Sequence, residues 1–155
     1  LTLAAATAAG ESGSVLGIDP SPEMIATAKG KAAHHASKAR FELGVIEKLN
    51  LPNASVDVVI NRLMVHHLPD DLKMQGFAEI LRVLKPGGRL LIADFSLPRN
   101  PVGRFILKNH LPTQMADLDI SIYVGMLAKA GFSNPRLLED RSGILAFIST
   151  EKPAN

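Results

Sequence analysis

The 155-residue sequence predicts an α/β fold, a parallel sheet covered by helices and closed by an antiparallel C-terminal hairpin. Three observations predict it. Short apolar runs bounded by turn residues alternate with segments of helical periodicity, the pattern of strands joined by crossover helices. The runs SVLGID (14–19), VDVVI (56–60) and LLIA (90–93) lack apolar/polar alternation, as expected of strands buried on both faces. Near the C-terminus two strand-like segments are separated only by Glu139 to Ser142, too few residues for a crossover, so they must pair as a hairpin.

In chain order, Leu1 to Ala9 reads as a helix closed by Gly10 and the turn Glu11-Ser12-Gly13. Ser14 to Asp19 is the first strand. A helix then opens at Ser21-Pro22-Glu23: Ser21 can cap free N–H groups, Pro22 is pre-shaped for the first helical position, and Glu23 suits the positive dipole end. Met24, Ile25, Ala28 and Ala32 give it an apolar face. Strands follow at Phe41–Ile46 and Val56–Ile60, with the polar turn Pro52-Asn53-Ala54-Ser55 between them. Asp70 or Asp71 starts a helix in which Phe77, Ile80, Leu81 and Leu84 recur at helical spacing. Lys85-Pro86-Gly87-Gly88 ends it, and Arg89 to Phe95 forms a central strand. Ser96 to Pro112, with three prolines, reads as a loop or lid. Ile120, Tyr123, Val124 and Leu127 mark a last helix ended by Gly131, before the strands Pro135–Leu138 and Gly143–Ser149.

Composition narrows the function. With 46% apolar and 21% charged residues the chain is not a disordered tail, and its length and lack of repeats suit a single domain, 1–155. A net charge of +2 is too small to mark a nucleic-acid or anionic-membrane footprint, so no nucleic-acid partner is expected. Zero cysteines remove disulfides, thiolate metal sites and a cysteine nucleophile, and fit a reducing, cytoplasmic setting. The longest apolar runs, about nine residues, fall far short of the ~18–20 that span a bilayer. The first basic residue is Lys29, so the start lacks the positive region of a signal peptide. A chain that begins with Leu and runs straight into an Ala-rich helix reads as a fragment with its true start upstream.

In open α/β sheets ligands bind beyond the carboxyl ends of the strands, and few residues there carry chemistry. Asp19 closes the first strand directly before the capped helix. Its carboxylate can accept two hydrogen bonds from a ribose diol, or can serve as a second helix cap or Asp-Pro turn former. Val45-Ile46-Glu47 offers backbone groups and a small apolar wall suited to an adenine ring, with Glu47 either a partner for an amine or a solvated charge. Asn61-Arg62-Leu63 follows VDVVI at the strand end nearest the expected reaction centre, and His66-His67 lie in the next turn. Adjacent histidines diverge, and neither HxH nor HExxH spacing occurs, so no metal site is expected. His34-His35 read as solvated, and His110 lies in the expected lid. Asp94 ends its strand, either orienting substrate or bonding the strand terminus. The chain lacks GxSxG and GxxxxGK[ST], so it has neither a nucleophile elbow nor a P-loop.

Together, LGIDPSPEMIATAK (16–29), LGVIEKLNLP (43–52), VDVVINRLMVHHLPDD (56–71) and RVLKPGGRLLIADF (82–95) resemble the class I S-adenosylmethionine-dependent methyltransferases, above all the small-molecule branch of the ubiquinone/menaquinone C-methyltransferases. The resemblance runs over about residues 1–152 and implies a Rossmann-like sheet with S-adenosylmethionine as cofactor. It implies that Asp19, with Pro20 beside it, binds the ribose hydroxyls, that Met24, Val45, Ile46 and Glu47 border the adenine, and that Asn61, Arg62 and Leu63 contact the methionine part. Methyl transfer from a sulfonium to a small-molecule acceptor is an in-line displacement. It needs a base only for a weakly acidic acceptor, with His66, His67, His110 and Tyr123 the candidates.

The sequence departs from the family twice. Val45 is apolar where many relatives carry Asp or Asn. The family's first strand and its glycine-rich turn would end just before Leu1, and that strand lies between those ending in Asp19 and Asn61. Backbone groups left without partners there cost ~1–3 kcal/mol each if buried, against a total stability of ~5–15 kcal/mol, so impaired cofactor binding by this chain alone is expected. Two other readings remain open: a non-catalytic interaction module of the same fold, and a nicotinamide-dependent oxidoreductase. Tyr123 has its nearest downstream lysine at Lys129, not at Tyr-x-x-x-Lys spacing, which argues against the oxidoreductase.

Overall fold

A computed structural model describes residues 1–95, 120–138 and 145–154. The chain divides into two compact units, Leu1–Asn50 and Leu51–Asn155. The expected Ser96–Pro112 lid with His110, and the Glu139–Ser142 connection, lie outside the described residues.

In the first unit, helix α1 (Thr2–Ala9) leads to strand β1 (Leu16–Asp19), helix α2 (Pro22–His34) and strand β2 (Arg40–Leu43). Gly10 ends α1 with φ +70°, a conformation that favours glycine. The capping expected at Ser21 is present: its Oγ accepts from Met24 N–H at 3.2 Å, and Pro22 takes the first helical turn. β1 and β2 pair in parallel with Gly17 beside Phe41 and Asp19 beside Leu43. A Cβ on Gly17 would stand 2.8 Å from the Phe41 ring and 3.1 Å from Thr2 Oγ1, so Gly17 is what lets the ring and α1 approach this face. There Phe41, Ile25 and Ala32 form a core, with Leu3, Ala28 and Ala39 packed against it. The other face is open. Ile18 is 36% exposed, so β1 is not buried on both faces as its composition suggested, because both helices pack on the Gly17/Phe41 side. β2 also stops before Val45 and Ile46, where Val45 instead forms an isolated bridge with Lys48 in a tight turn.

In the second unit, β3 (Val56–Arg62) leads through a single 3₁₀ turn (Val65–His67) to α3 (Asp70–Val83) and β4 (Leu84–Phe95). After the segment outside the described residues come α4 (Ile122–Lys129), β5 (Ser133–Leu138) and β6 (Leu145–Glu151). The sheet order is β3-β4-β6-β5, parallel between β3 and β4 and antiparallel thereafter, so the expected terminal hairpin is present. Leu90, Ile92 and Asp94 of β4 pair with Thr150, Ile148 and Ala146 of β6, and all six are buried. Phe77, Ile80 and Val83 of α3 and Tyr123 and Leu127 of α4 are buried too, and the Phe77 and Tyr123 rings meet edge to face at 6.4 Å. Val58 and Ile60 of β3 are 47% and 39% exposed, so β3 is also covered on one face only. Among the described residues, β1 pairs only with β2 and β3 only with β4. These are the two strands that the family resemblance leaves without a common neighbour.

The helix expected to run through Leu84 and be ended by Lys85-Pro86-Gly87-Gly88 ends one residue sooner, at Val83, and Leu84 to Gly88 is the start of β4. Pro86 holds Lys85 before it in extended geometry, and Leu84 is already extended. The register jumps here, with Val56 beside Leu84 but Val58 beside Arg89, so the extra residues bulge out of β4. Gly87 takes φ +74° in the bulge, and the bulged segment exchanges two backbone hydrogen bonds with Lys152, at 3.0 and 2.8 Å. Arg82 braces the approach to β3: it donates to Glu79, to Leu51 O at 2.8 Å and to Asn53 Oδ1 at 2.7 Å. A Cβ on Gly88 would lie 2.8 Å from Lys85 O and 3.1 Å from Asp57 O, both backbone atoms that cannot swing away. Gly88→Ala is expected to lower stability by about 1–3 kcal/mol, the usual cost of overpacking, with the urea midpoint as the measurement.

Candidate functional site

The carboxyl end of the first unit's sheet gathers several residues singled out by sequence. Asp19 ends β1, half-buried, and its backbone carbonyl accepts from Gly44 N–H at 3.2 Å, which sets the turn after β2 beside it. Asp19 Oδ1 accepts from Ser21 N–H at 2.9 Å, so the turn-forming role is realised in one of its two oxygens. Oδ2 takes no hydrogen bond from the described residues. The helix start therefore fixes the carboxylate while leaving one charged acceptor available. Met24 in the first turn of α2 is 57% exposed and Val45 38% exposed, unusual for apolar side chains of this size; Ile46 and Glu47 are half-buried and Pro20 is exposed.

In the second unit the carboxyl ends of β3 and β4 hold the rest. Asn61 of β3 is buried beside Ile92, and its Oδ1 has no hydrogen-bond partner among the described residues. Arg62 is exposed, and Leu63 is half-buried with φ +53°. A left-handed conformation is strained for a residue with a branched side chain. It is held by a hydrogen bond from Leu63 N–H to Ala93 O at 2.9 Å, and it turns the chain sharply from β3 into the 3₁₀ turn.

That turn delivers His66 onto Asp94. The two side chains are 3% and 1% exposed, with Nδ1 of His66 2.5 Å from Oδ1 of Asp94. The same carboxylate accepts from His66 N–H at 3.1 Å and from Phe95 N–H at 2.9 Å. Asp94 thus accepts from two backbone N–H groups and faces Nδ1 of His66 as well. Nε2 of His66 is buried and has no hydrogen-bond partner among the described residues. A buried polar atom without a partner costs about 1–3 kcal/mol. The ring lies between His67, exposed and tilted against it with ring centres 3.9 Å apart, and Phe95, edge-on at 5.4 Å. Tyr123 stands close enough to feel Asp94 and Asp70, and Lys73, paired with Asp70 at 2.8 Å, sits 5.7 Å from its ring centre.

Of the residues read from sequence, the first unit brings Asp19, Pro20, Met24 and the Val45–Glu47 turn to one sheet end, and the second brings Asn61, Arg62, Leu63, His66 and His67 to another. Sequence reasoning missed the pairing of His66 with Asp94. The usable signal was that both follow the ends of neighbouring parallel strands, Arg62 lying beside Ala93.

A strand ending in a carboxylate before a capped helix, in an open α/β chain with an antiparallel terminal hairpin, puts an acid at the sheet end where open α/β folds bind ligands. The family described as Methyltransferase domain matches residues 1–88, more than half of the sequence. The chain belongs to that family, the class I S-adenosylmethionine-dependent methyltransferases, whose cofactor is S-adenosylmethionine. It is 41% identical over 91 residues to an arsenite methyltransferase of Halobacterium salinarum, aligning 58% of this chain with 23% of that protein. It is 28% identical over 154 residues to a ubiquinone/menaquinone biosynthesis C-methyltransferase of a Geobacter species, aligning 84% of this chain with 65% of the relative. The chain thus spans less than two thirds of the length of either. In structure it is similar to an S-adenosylmethionine-dependent methyltransferase from Aquifex aeolicus, with a TM-score of 0.75 at 22% identity over 92% of this chain and 70% of the other.

Each unit, taken by itself, offers one group of a kind such a cofactor takes: in the first a carboxylate oxygen of Asp19, in the second a buried amide oxygen of Asn61, neither hydrogen-bonded among the described residues. Among the described residues no helix is long and apolar enough to cross a membrane.

Burial, with the Asp94 and Asp70 carboxylates adding to it, pushes the Tyr123 phenol above its ordinary range. Its contribution to stability is therefore complete below the unfolded value of about 10 and is lost as pH rises from there toward the folded value, because the unfolded chain releases the proton first. Tyr123→Phe is expected to flatten the fall of the thermal midpoint above about pH 10, as followed by circular dichroism.

Proposed function

We propose that the chain acts as one methyltransferase domain, residues 1–155, moving a methyl group from S-adenosylmethionine to a small-molecule acceptor by in-line displacement. The observation that carries this reading is Asp19: a carboxylate at the carboxyl end of β1, clamped by the start of α2 through one oxygen and open at the other. A ribose diol offers two O–H donors to such a group, and hydrogen bonds to a charged acceptor are about twice as strong as neutral ones. The exposed Met24 and Val45, with Pro20, Ile46 and Glu47, provide the apolar and polar edges for an adenine. In the second unit, Asn61 Oδ1 suits the ammonium of an amino-acid group, with Arg62 and Leu63 beside it in the chain.

Bound S-adenosylmethionine supplies a methyl carbon already activated by its sulfonium. The protein's task is then to hold the acceptor atom in line at about 3 Å and to exclude water, and such positioning is worth up to ~7–11 kcal/mol of barrier. The relatives named for ubiquinone/menaquinone and for arsenite support a small-molecule acceptor.

The test is isothermal titration with S-adenosylhomocysteine and, in parallel, NAD⁺. Weakened binding of the first and none of the second is expected. Asp19→Asn keeps an acceptor for Ser21 N–H but loses the charge, so it should fold normally and bind about 10- to 100-fold more weakly, the equivalent of ~1.5–3 kcal/mol for a charge-assisted bond. Unchanged affinity in Asp19→Asn, or a preference for NAD⁺ over S-adenosylhomocysteine in the unaltered protein, overturns the reading.

A further inference from the structure

We propose that the chain pairs with a second copy of itself through the free edge of β2, antiparallel, with Phe41 on the two-fold axis. Such pairing is independent of the methyltransferase reading above.

The edge is open, and the direction of its backbone groups follows from the bonds on its other side. Among the described residues β2 pairs with β1 alone, so one side of it meets no strand. Arg40 N–H donates to Val15 O at 3.0 Å and Gly44 N–H to Asp19 O at 3.2 Å. Backbone groups alternate from side to side along a strand. The even-numbered residues therefore face β1, while the N–H and C=O of Phe41 and Leu43 and the C=O of Ala39 face outward. The Ala39 N–H already donates to Ser37 Oγ at 3.3 Å. An unpaired row of this kind is a template for another strand.

The order of side chains selects the strand. Ala39-Arg40-Phe41-Glu42-Leu43 is self-complementary about its centre. An antiparallel copy centred on Phe41 sets Ala39 against the partner's Leu43, Arg40 against the partner's Glu42, and Phe41 against the partner's Phe41. The outward backbone groups then meet: Phe41 N–H donates to the partner's Phe41 O, Leu43 N–H to the partner's Ala39 O, and symmetry repeats both. Arg40 and Glu42 fall between those bonded pairs, where opposed side chains approach most closely. Both are exposed, and Arg40 makes one long bond, to Ser14 Oγ at 3.3 Å. The neighbouring registers, with the axis at Arg40 or at Glu42, oppose two arginines or two glutamates, and like charges directly opposite are destabilising. A guarded edge strand carries charge that repels any newcomer. Here each copy carries both halves of a match, so charge admits one register and rejects the two beside it.

The surface beside the edge has room for the partner. A groove of about 490 Å³ lies between α2 and β2, with Ala32, Ala33, Ala39 and Phe41 along it and Lys29 among its lining. Leu43 is 59% exposed in the single chain and shares a face of β2 with Phe41. Set opposite Ala39, the partner's Leu43 enters this groove and leaves water, and the exposed Lys29 can keep its ammonium in solvent. A strand this short makes a small contact, so the association is weak and transient.

Sedimentation equilibrium of the chain over about 10 µM to 1 mM, the range a small interface calls for, is expected to show monomers exchanging with dimers. Arg40→Glu and Glu42→Arg each put like charges at both positions of the contact. Each should weaken self-association about tenfold or more, with the circular dichroism spectrum and unfolding midpoint unchanged. Mixing the two variants restores opposite charges at both positions and should yield a heterodimer. The double variant Arg40→Glu/Glu42→Arg should regain the homodimer. Hydrogen exchange reads the backbone directly: the Phe41 and Leu43 amides should slow as concentration rises in the unaltered chain, and should not in either single variant. A chain that stays monomeric throughout, dimers that persist in both single variants, a double variant that stays monomeric, or Phe41 and Leu43 amides indifferent to concentration overturns the proposal.

Discussion

The second unit depends on one buried carboxylate. Asp94 lies in a row with Leu90 and Ile92, all nearly inaccessible to water, on a strand whose partner contributes Ile148 and Ala146 to the same face. An ionised group there would be untenable alone, since the desolvation of an unpaired charge far exceeds the stability of a small domain. It is tolerated because three nitrogens reach it, and two of those come from His66. The acid thus holds the turn after β3, and the turn supplies hydrogen bonds to the acid. Removing either leaves the other as a cost, which is why the strained Leu63 conformation that joins them is sustained.

The same end of the sheet is shaped from its opposite end. α3 stops before Pro86 and Gly87-Gly88 bulge, and only after the bulge do β3 and β4 settle into a regular register from Val58/Arg89 to Arg62/Ala93. Because side chains alternate along a strand, a slip of one residue would turn Asp94 to the other face and break its bonds to the turn. The glycines that prevent that slip lie well away from the histidine they position, so the local turn chemistry of Lys85-Pro86-Gly87-Gly88 acts on the site through register alone.

Much of this was legible in the sequence wherever the determinant is local. The start of α2 follows from Ser21-Pro22-Glu23, the stop of α1 from Gly10, and the terminal hairpin from the short link between its strands. Two kinds of feature were not. Burial on one face or two depends on which neighbours cover a strand, and Ile18, Val58 and Ile60 look identical in sequence to core residues while being open in the fold. Likewise the helix–strand boundary at Leu84 was misread because Leu84 continues the helical apolar spacing; the extended geometry of Leu84 and Lys85 ahead of Pro86 overrides that pattern. The union of His66 with Asp94 spans 28 positions and is set by strand register, a quantity no spacing rule supplies.

The two acids at strand ends show how identical side chains acquire different tasks. Asp19 and Asp94 both close a parallel strand, and both accept a backbone N–H close by in the chain. Asp19 does so next to solvent and commits one oxygen, so its free oxygen can exchange water for a ligand hydroxyl at little cost in desolvation. Asp94 is buried and commits both oxygens, so it has nothing left to offer a ligand directly. Whatever Asp94 contributes to chemistry must pass through the imidazole it holds. The division into a carboxylate that binds and a carboxylate that positions is therefore set by burial, not by residue type or by place in the strand.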